Sequence, residues 1–247
     1  GTDLPTSRTL EGTDLRYAYR TGHDVLHGID LSLRTGERLA IVGPSGSGKS
    51  TLGRLLSGIH APRTGAVTVG GVHLTALPLE TLRREVALVT QEHHVFIGTV
   101  RDNIALAGAG AHDDGVEAAL RAVDAWSWVS ELPGGLDARI GSGQHSLTPG
   151  QAQQVALARL VLADPHTIVL DEATSLIDPR TARHLEGSMN ALLTGRTVVA
   201  IAHRLHTAHD ADRIAVVIDG RVAELGTHDE LVARDGEYAA LWRAWTS

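Results

Sequence analysis

Arg38-Leu39-Ala40-Ile41-Val42-Gly43-Pro44-Ser45-Gly46-Ser47-Gly48-Lys49-Ser50-Thr51, continuing through Leu52 to Gly58, is the stretch from which the fold is read. Arg38 to Val42 is a short apolar run bounded by Gly36 and Gly43, the pattern of a buried strand. Gly43 to Ser50 fits G-x-x-x-x-G-K-[ST] at every fixed position, and a segment of helical character follows to Gly58. Strand, loop and helix in that order are the context a phosphate-binding (Walker A) loop requires. Its glycines let successive backbone N–H groups turn inward as an anion nest, along a helix N-terminus whose partial positive charge favours phosphate. Lys49 is expected to reach the β- and γ-phosphates, and the Ser50 hydroxyl to ligate Mg2+. A glycine-rich turn that fits by chance is the rival reading, and the elements on both sides argue against it. The loop is expected to bind a nucleoside triphosphate.

The chain has 247 residues, enough for one large domain or two small ones with an ample core. No apolar run approaches the roughly 18 residues of a membrane span. The polar start lacks an apolar signal segment, so no signal peptide is expected. The absence of cysteine excludes disulfides and thiolate metal sites and fits a cytosolic compartment. A net charge of −7 argues against non-specific nucleic-acid binding, and no nucleic-acid partner is expected.

Residues 1–12 read as a linker or a cut edge, ahead of a domain over 13–247. Asp14 to Tyr19 and Val25 to Leu33 alternate as antiparallel strands, and Ala66 to Val69 adds another, closed by Gly70-Gly71. Leu77 to Arg84 is a short helical piece, and Val86 to Val89 a buried strand. From about 92 to 162 strand signals stop. Val100 to Leu106, Asp114 to Ala125 and Gly150 to Leu162 carry helical spacing, so this block reads as a helical insertion. Trp126 and Trp128 within it read as packing residues. Strands return at Thr167 to Leu170, Thr197 to Ile201, Ile214 to Ile218 and Arg221 to Glu224. A helix is expected near 179–193, and a last helical pair at 228–234 and 237–245. Strands alternating with helices imply a parallel sheet covered on both faces.

Thr167 to Leu170 runs into Asp171 and Glu172. In a parallel nucleotide-binding sheet ligands sit at the carboxyl ends of strands. Asp171 is therefore expected to hold Mg2+ through water, and Glu172 to activate an attacking water. A helix N-cap is the alternative for this pair when it stands alone. The histidine pair His93-His94 invites a metal reading, but with no cysteine or carboxylate cluster nearby an exposed pair is favoured.

Leu147-Thr148-Pro149-Gly150-Gln151, twenty residues before Asp171 and followed by a helix containing Arg159, resembles the signature motif of ATP-binding-cassette (ABC) ATPases. The resemblance covers nearly the whole chain. It implies an α/β P-loop NTPase of the ABC ATPase fold, with a mostly parallel core sheet, an antiparallel β subdomain and a helical subdomain. Gly43, Pro44, Ser45, Gly46, Ser47, Gly48, Lys49, Ser50 and Thr51 then form the phosphate site for ATP. Tyr19, thirty residues before Lys49, matches the aromatic that stacks on adenine. Gln91 matches the glutamine that contacts Mg2+ and senses a membrane partner. Ser175 to Asp178 resembles the D-loop, and His203 the switch histidine on the γ-phosphate. Thr148, Gly150, Gln151 and Asp178 would serve a nucleotide shared with a second such domain. Val95 to Ile104, and Glu224 to Leu231 with Tyr238 and Leu241 beyond, resemble the exporter branch, in which this domain follows six membrane helices on the cytoplasmic face. The chain would then be the excised C-terminal part of a longer polypeptide. An importer subunit, a nucleotide-gated regulatory cassette with little hydrolysis, and a soluble ABC protein acting on DNA or ribosomes are the rivals. The last would need a coiled-coil insertion or a tandem cassette and a basic surface, and none is seen in the sequence.

Three positions depart from the family pattern. The signature is Leu-Ser-Gly-Gly-Gln in the family, whereas here Pro149 removes a backbone N–H that could serve phosphate. Thr148-Pro149-Gly150-Gln151 also reads as a capping box, so the Thr148 hydroxyl is expected to cap its own helix instead of a phosphate. Gly141-Ser142-Gly143 stands where exporters carry Gly-Glu, and Gln154 where the family carries arginine. A regular Glu172 and His203 beside an altered signature imply a heterodimer, the second ATP-binding domain coming head-to-tail from a different chain.

Overall fold

Alternating apolar residues draw the first two strands together. β1 (Leu10–Arg20) and β2 (His23–Leu33) pair antiparallel, with Leu10 opposite Leu33 and Leu15 opposite Ile29. β1 begins at Leu10, inside the stretch read as linker and four residues before the expected start at Asp14. The alternation is hidden there by a register shift between Gly12 and Leu15, where Asp14 takes a φ of 44° and its N–H donates to Asp30 Oδ1.

The remaining elements follow in chain order: β3 (Arg38–Val42), α1 (Lys49–Leu56), β4 (Thr64–Val69), β5 (Val72–His73), α2 (Leu79–Glu85) and β6 (Val86–Val89). Next come β7 (Gly98–Thr99), α3 (Val100–Ala105), α4 (Asp113–Ala122), α5 (Trp126–Glu131), β8 (Arg139–Ile140), α6 (Pro149–Ala163) and β9 (Thr167–Asp171). The last are β10 (Thr197–Ile201), α7 (Leu205–His209), β11 (Arg213–Ile218), β12 (Arg221–Gly226), α8 (His228–Arg234) and α9 (Glu237–Thr246). This computed structural model describes residues 5–90, 94–106, 112–171, 189, 192–202 and 205–246. The helix expected near 179–193 falls almost wholly outside them.

Two compact units result. One comprises Gly1–Val89, His166–Ala173 and Gly195–Ser247, the other Thr90–Pro165 and Thr174–Thr194. The first holds a four-stranded antiparallel sheet, ordered β2-β1-β4-β5, and a six-stranded sheet, ordered β12-β11-β3-β10-β9-β6. In the larger sheet β11, β3, β10, β9 and β6 run parallel, and only β12 is antiparallel. β3 explains why such a strand reads as a continuous apolar run. Leu39 and Ile41 enter the core shared with α1 and the antiparallel sheet, while Ala40 and Val42 enter the core under α8 and α9. α1 closes on the sheet through Leu52, Leu55 and Leu56, all fully buried, each worth roughly 1.5–3 kcal/mol.

The second unit is built on α3 to α6, with Val100, Ile104, Val116, Leu120, Val129, Val155 and Leu157 buried. It also holds the antiparallel pair of two-residue strands β7 and β8, too short to leave a periodic signal. Gln154 ties this unit internally: its amide oxygen accepts from Trp128 Nε1 at 2.9 Å and its amide nitrogen donates to the Val123 carbonyl at 3.0 Å. Trp128 thus packs with its polar edge satisfied.

Glu37, in the turn before β3, is 9% exposed and paired with Arg213 at the start of β11. Burial works to raise its pKa, but the Arg213 hydrogen bond, the Arg34 amide and both positive charges outweigh it and hold the carboxyl below its ordinary 4.5. A depressed carboxyl contributes stability above its unfolded pKa and loses it as pH falls through the folded one. Glu37→Gln is expected to cost about 1–3 kcal/mol at pH 7 and to flatten the loss of stability on acidification below about pH 4.5. Urea unfolding at pH 7 and pH 3 checks both, and an unchanged pH dependence would rule out the pairing as the source.

Candidate nucleotide site

The chain leaves β3 through Gly43, at a φ of 149° where a Cβ would lie 2.1 Å from the Val217 carbonyl of β11. Only glycine fits this approach. The loop that follows is braced from two directions. Lys49, 6% exposed, turns its Nζ back to donate to the Gly43 and Pro44 carbonyls, each at 2.8 Å. The turn between β11 and β12 reaches in from the other side. Gly220 N–H donates to the Ser47 carbonyl, and the Gly220 carbonyl accepts from His27 N–H, both at 2.9 Å.

α1 opens at Gly48 in the left-handed region, with no side-chain cap and no acidic residue in its first turn. The positive dipole end of α1 thus meets no carboxylate in its own first turn. The Ser47 hydroxyl is buried and has no hydrogen-bond partner among the described residues. Such an orphan costs roughly 1–3 kcal/mol unless something meets it. Pro44, Ser45 and Gly46 are exposed, and Ser50 is half-buried at the second position of the helix. An anion carrying several oxygens fits every one of these features.

Sheet register brings a carboxylate to the same edge. Ile41 of β3 lies opposite Ile201 of β10, and Ile201 opposite Asp171 of β9, so the three residues stand level at the carboxyl ends of their strands. Asp171 is two strand spacings, about 10 Å, from the strand that feeds the loop. The hydroxyl of Ser50 and the carboxylate of Asp171 are hard oxygen donors, the chemistry that suits Mg2+.

Along one side of the first two turns of α1 the Tyr19 hydroxyl lies 3.1 Å from Thr51 Oγ1 and accepts from Arg54 Nη1, also at 3.1 Å. Its ring, with the residue 52% exposed, meets Tyr17 and His60 edge-on. Arg54, Tyr17 and His60 had not been picked out in the sequence. The three-residue spacing of Thr51 and Arg54 on one helix face was the available signal.

The second unit carries the Thr148 segment. Thr148 caps α6, its Oγ1 accepting from Gln151 N–H at 3.2 Å while Gln151 Oε1 accepts from Thr148 N–H at 2.9 Å. Pro149 occupies the first helical position and Gly150 the second. Ten residues along α6 from Pro149, Arg159 donates to the carbonyls of Asn103 at 2.6 Å and His94 at 2.7 Å and to Asn103 Oδ1 at 2.7 Å, beside the Phe96 ring. Gln91, His93, Glu172, Asp178 and His203 lie outside the described residues. No group of three metal-ligating side chains occurs among the described residues, nor any helix long and apolar enough to cross a membrane.

Comparison with known proteins gives this geometry its context. The ABC transporter family profile matches residues 26–175. The mycobactin import ATP-binding/permease protein IrtA of Mycolicibacterium thermoresistibile is 42% identical over 95% of this chain, which covers 26% of that protein. The ATP-dependent lipid A-core flippase of Burkholderia thailandensis is 40% identical over 96% of this chain, which covers 40% of that protein. The structure of a bacterial Atm1-family ABC exporter with ATP bound superposes at a TM-score of 0.85 with 34% identity, covering 99% of this chain and 43% of that one. The chain thus spans between about a quarter and two fifths of the curated relatives it matches. With its phosphate loop, its mixed sheets and its match over most of its length, the chain belongs to the ABC transporter family as an ATP-binding domain of that family of ATPases.

Proposed function

We propose that this domain hydrolyses ATP to ADP and phosphate and thereby powers export across a membrane, working at its cytoplasmic face beneath a transmembrane domain. The observation that carries the reading is the level register of Ile41, Ile201 and Asp171, which sets a carboxylate beside an uncapped, lysine-bearing phosphate loop. Gly43 to Thr51 hold the phosphates, with Lys49 moving from its own loop carbonyls to the β- and γ-oxygens. Ser50, Asp171 and Gln91 would hold Mg2+, which neutralises charge on those oxygens when bound. Glu172 orients and polarises the attacking water, and His203, two residues beyond Ile201 in the sequence, holds the γ-phosphate. Tyr19 stacks on the base. Export is supported by the lipid A-core flippase and Atm1-family relatives, and the mycobactin relative, named for import, supplies the competing direction.

The finer reading concerns the partner. A second ATP-binding domain closes head-to-tail over the nucleotide, presenting its own signature to this Lys49, while Thr148, Gly150, Gln151 and Asp178 serve the partner's nucleotide. The cap seen on α6 draws on a lone pair of Thr148 Oγ1, and a hydroxyl has a proton besides. Capping therefore does not compete with donation to a phosphate oxygen. The departure that remains is Pro149, with no N–H to give. A heterodimer with a slow site at Thr148–Gln151 and a fast one at Lys49 follows from that single missing donor, worth roughly one to two powers of ten in affinity. A regulatory cassette with little hydrolysis is the reading that a multiple-turnover phosphate assay would favour if it gave none.

Glu172→Gln is expected to keep ATP affinity while turnover falls about 10²- to 10⁴-fold, and Lys49→Ala to weaken ATP binding about 10- to 100-fold. Calorimetry with a phosphate-release assay reads both, and unchanged affinity in Lys49→Ala would remove the loop assignment. Light scattering of Glu172→Gln with ATP and Mg2+ tests the partner. A monomer that holds ATP is expected, and a stable dimer of this chain alone would count against the heterodimer. Thr148→Ala should cost about 0.5–2 kcal/mol of stability, and Thr148→Ser almost nothing. Equal losses in the two would show that the cap contributes nothing.

A further inference from the structure

The family reading gives Tyr19 a role through its ring and leaves its hydroxyl unexplained. A tyrosine at the penultimate position of a strand, half in solvent, ordinarily spends rotamer entropy when a planar ligand fixes it. Here the ring is fixed beforehand, and the residues that fix it come from the helix that starts at the phosphate loop. Thr51 and Arg54, one turn apart on α1, hold the hydroxyl from two sides. The bonds are chemically consistent: a phenol lone pair takes the Arg54 N–H, and either hydroxyl of the Tyr19–Thr51 pair can give the proton between them.

Arg54 acts twice. Its carbonyl accepts from the Ile59 and His60 N–H groups at 3.0 and 3.2 Å, wrapping the chain after α1 so that the His60 ring stacks on Tyr17 with centroids 5.3 Å apart and planes 16° apart. Tyr17 and His60 then meet the Tyr19 ring edge-on at 5.0 and 6.0 Å. Residue 54 thus ties down the hydroxyl end of the ring through its guanidinium and one of the two aromatic supports through its backbone carbonyl, and only the first depends on arginine. The base platform and the phosphate cradle are referenced to a single helix.

We propose that Arg54, with Thr51, is a positioning residue for nucleotide-base recognition, holding the Tyr19 ring at the angle at which a purine stacks. The proposal rests on the reading of Tyr19 as the base platform. It predicts that loss of the tether weakens only the part of affinity that depends on the base.

The test compares ATP with inorganic tripolyphosphate, which has the phosphates and no base, as ligands of the Glu172→Gln chain carrying Arg54→Ala, Tyr19→Phe, both together, or Tyr19→Ala. Tyr19→Ala should lose roughly 5- to 100-fold in ATP affinity, the usual worth of a base–aromatic stack. Arg54→Ala and Tyr19→Phe should each lose about 3- to 10-fold, the double variant no more than either, and tripolyphosphate affinity should hold throughout. If Tyr19→Ala weakens ATP and Arg54→Ala does not, the tether is overturned while the platform stands. If Tyr19→Ala changes nothing, the platform itself fails and the proposal with it. If Arg54→Ala weakens tripolyphosphate as much as ATP, the arginine serves the phosphates or the fold, and the positioning role is overturned.

Discussion

Parallel register in the six-stranded sheet is the constraint on which the rest of the molecule depends. β3 carries side chains into two different cores, so a one-residue slip would send Leu39 and Ile41 into the space filled by Ala40 and Val42. Neither core could take the exchange, because one is built around large side chains and the other around small ones at this strand. Packing therefore locks the register, and the Glu37–Arg213 pair and the Arg38 N–H donated to Asp212 pin the start of β3 against β11. Chemistry at the sheet edge inherits this precision. Gly43 leaves one strand and Asp171 ends another at a separation that the cores have already decided.

Helix termini sort the structure in a second way. α3, α6 and α8 each begin with a reciprocal capping box, Thr99 with Asp102, Thr148 with Gln151 and Thr227 with Glu230. Those helices satisfy their own first turns. α1 does not, since Gly48 supplies no side chain and the buried Ser47 hydroxyl beside it is also unmet among the described residues. α2, α4 and α5 likewise lack a side-chain cap, so what sets α1 apart from them is the left-handed glycine at its start and the buried Ser47 hydroxyl that meets no partner among the described residues.

Much of this was legible from residue patterns. Both cores, the phosphate loop, the strand ending in Asp171 and the α6 cap at Thr148 follow from short-range rules of spacing and turn chemistry. What escaped was of two kinds. Elements of two residues, such as β7 and β8, carry no period, and the first turn of β1 was disguised by the irregularity at Asp14. Side-chain partnerships across long sequence separations were the other kind. Arg54 with Tyr19 and Arg159 with Asn103 depend on which faces meet in three dimensions, and nothing local in either sequence segment announces them. The cap at Thr148 follows from the Thr-Pro-Gly-Gln pattern and is formed as that pattern predicts.

α1 is where these strands of argument join. Its N-terminus faces the phosphate site, its exposed side holds Tyr19, and its inner side lies on the sheet at Gly53. A Cβ at Gly53 would come within 2.9 Å of Ile201 Cδ1 and 3.3 Å of Val169 Cγ1, so the absence of a side chain sets how closely the helix approaches β10 and β9. Glycine inside a helix costs roughly 0.5–1 kcal/mol against alanine. That cost secures a short distance between the helix and the two strands whose ends flank the catalytic edge. A Cβ there would require Ile201 Cδ1 or the helix itself to give way, and Thr51 and Arg54, which hold the Tyr19 hydroxyl, lie on that helix with the Gly43–Gly48 loop just before it. The approach of α1 to β9 and β10 thus depends on one contact in the middle of one helix.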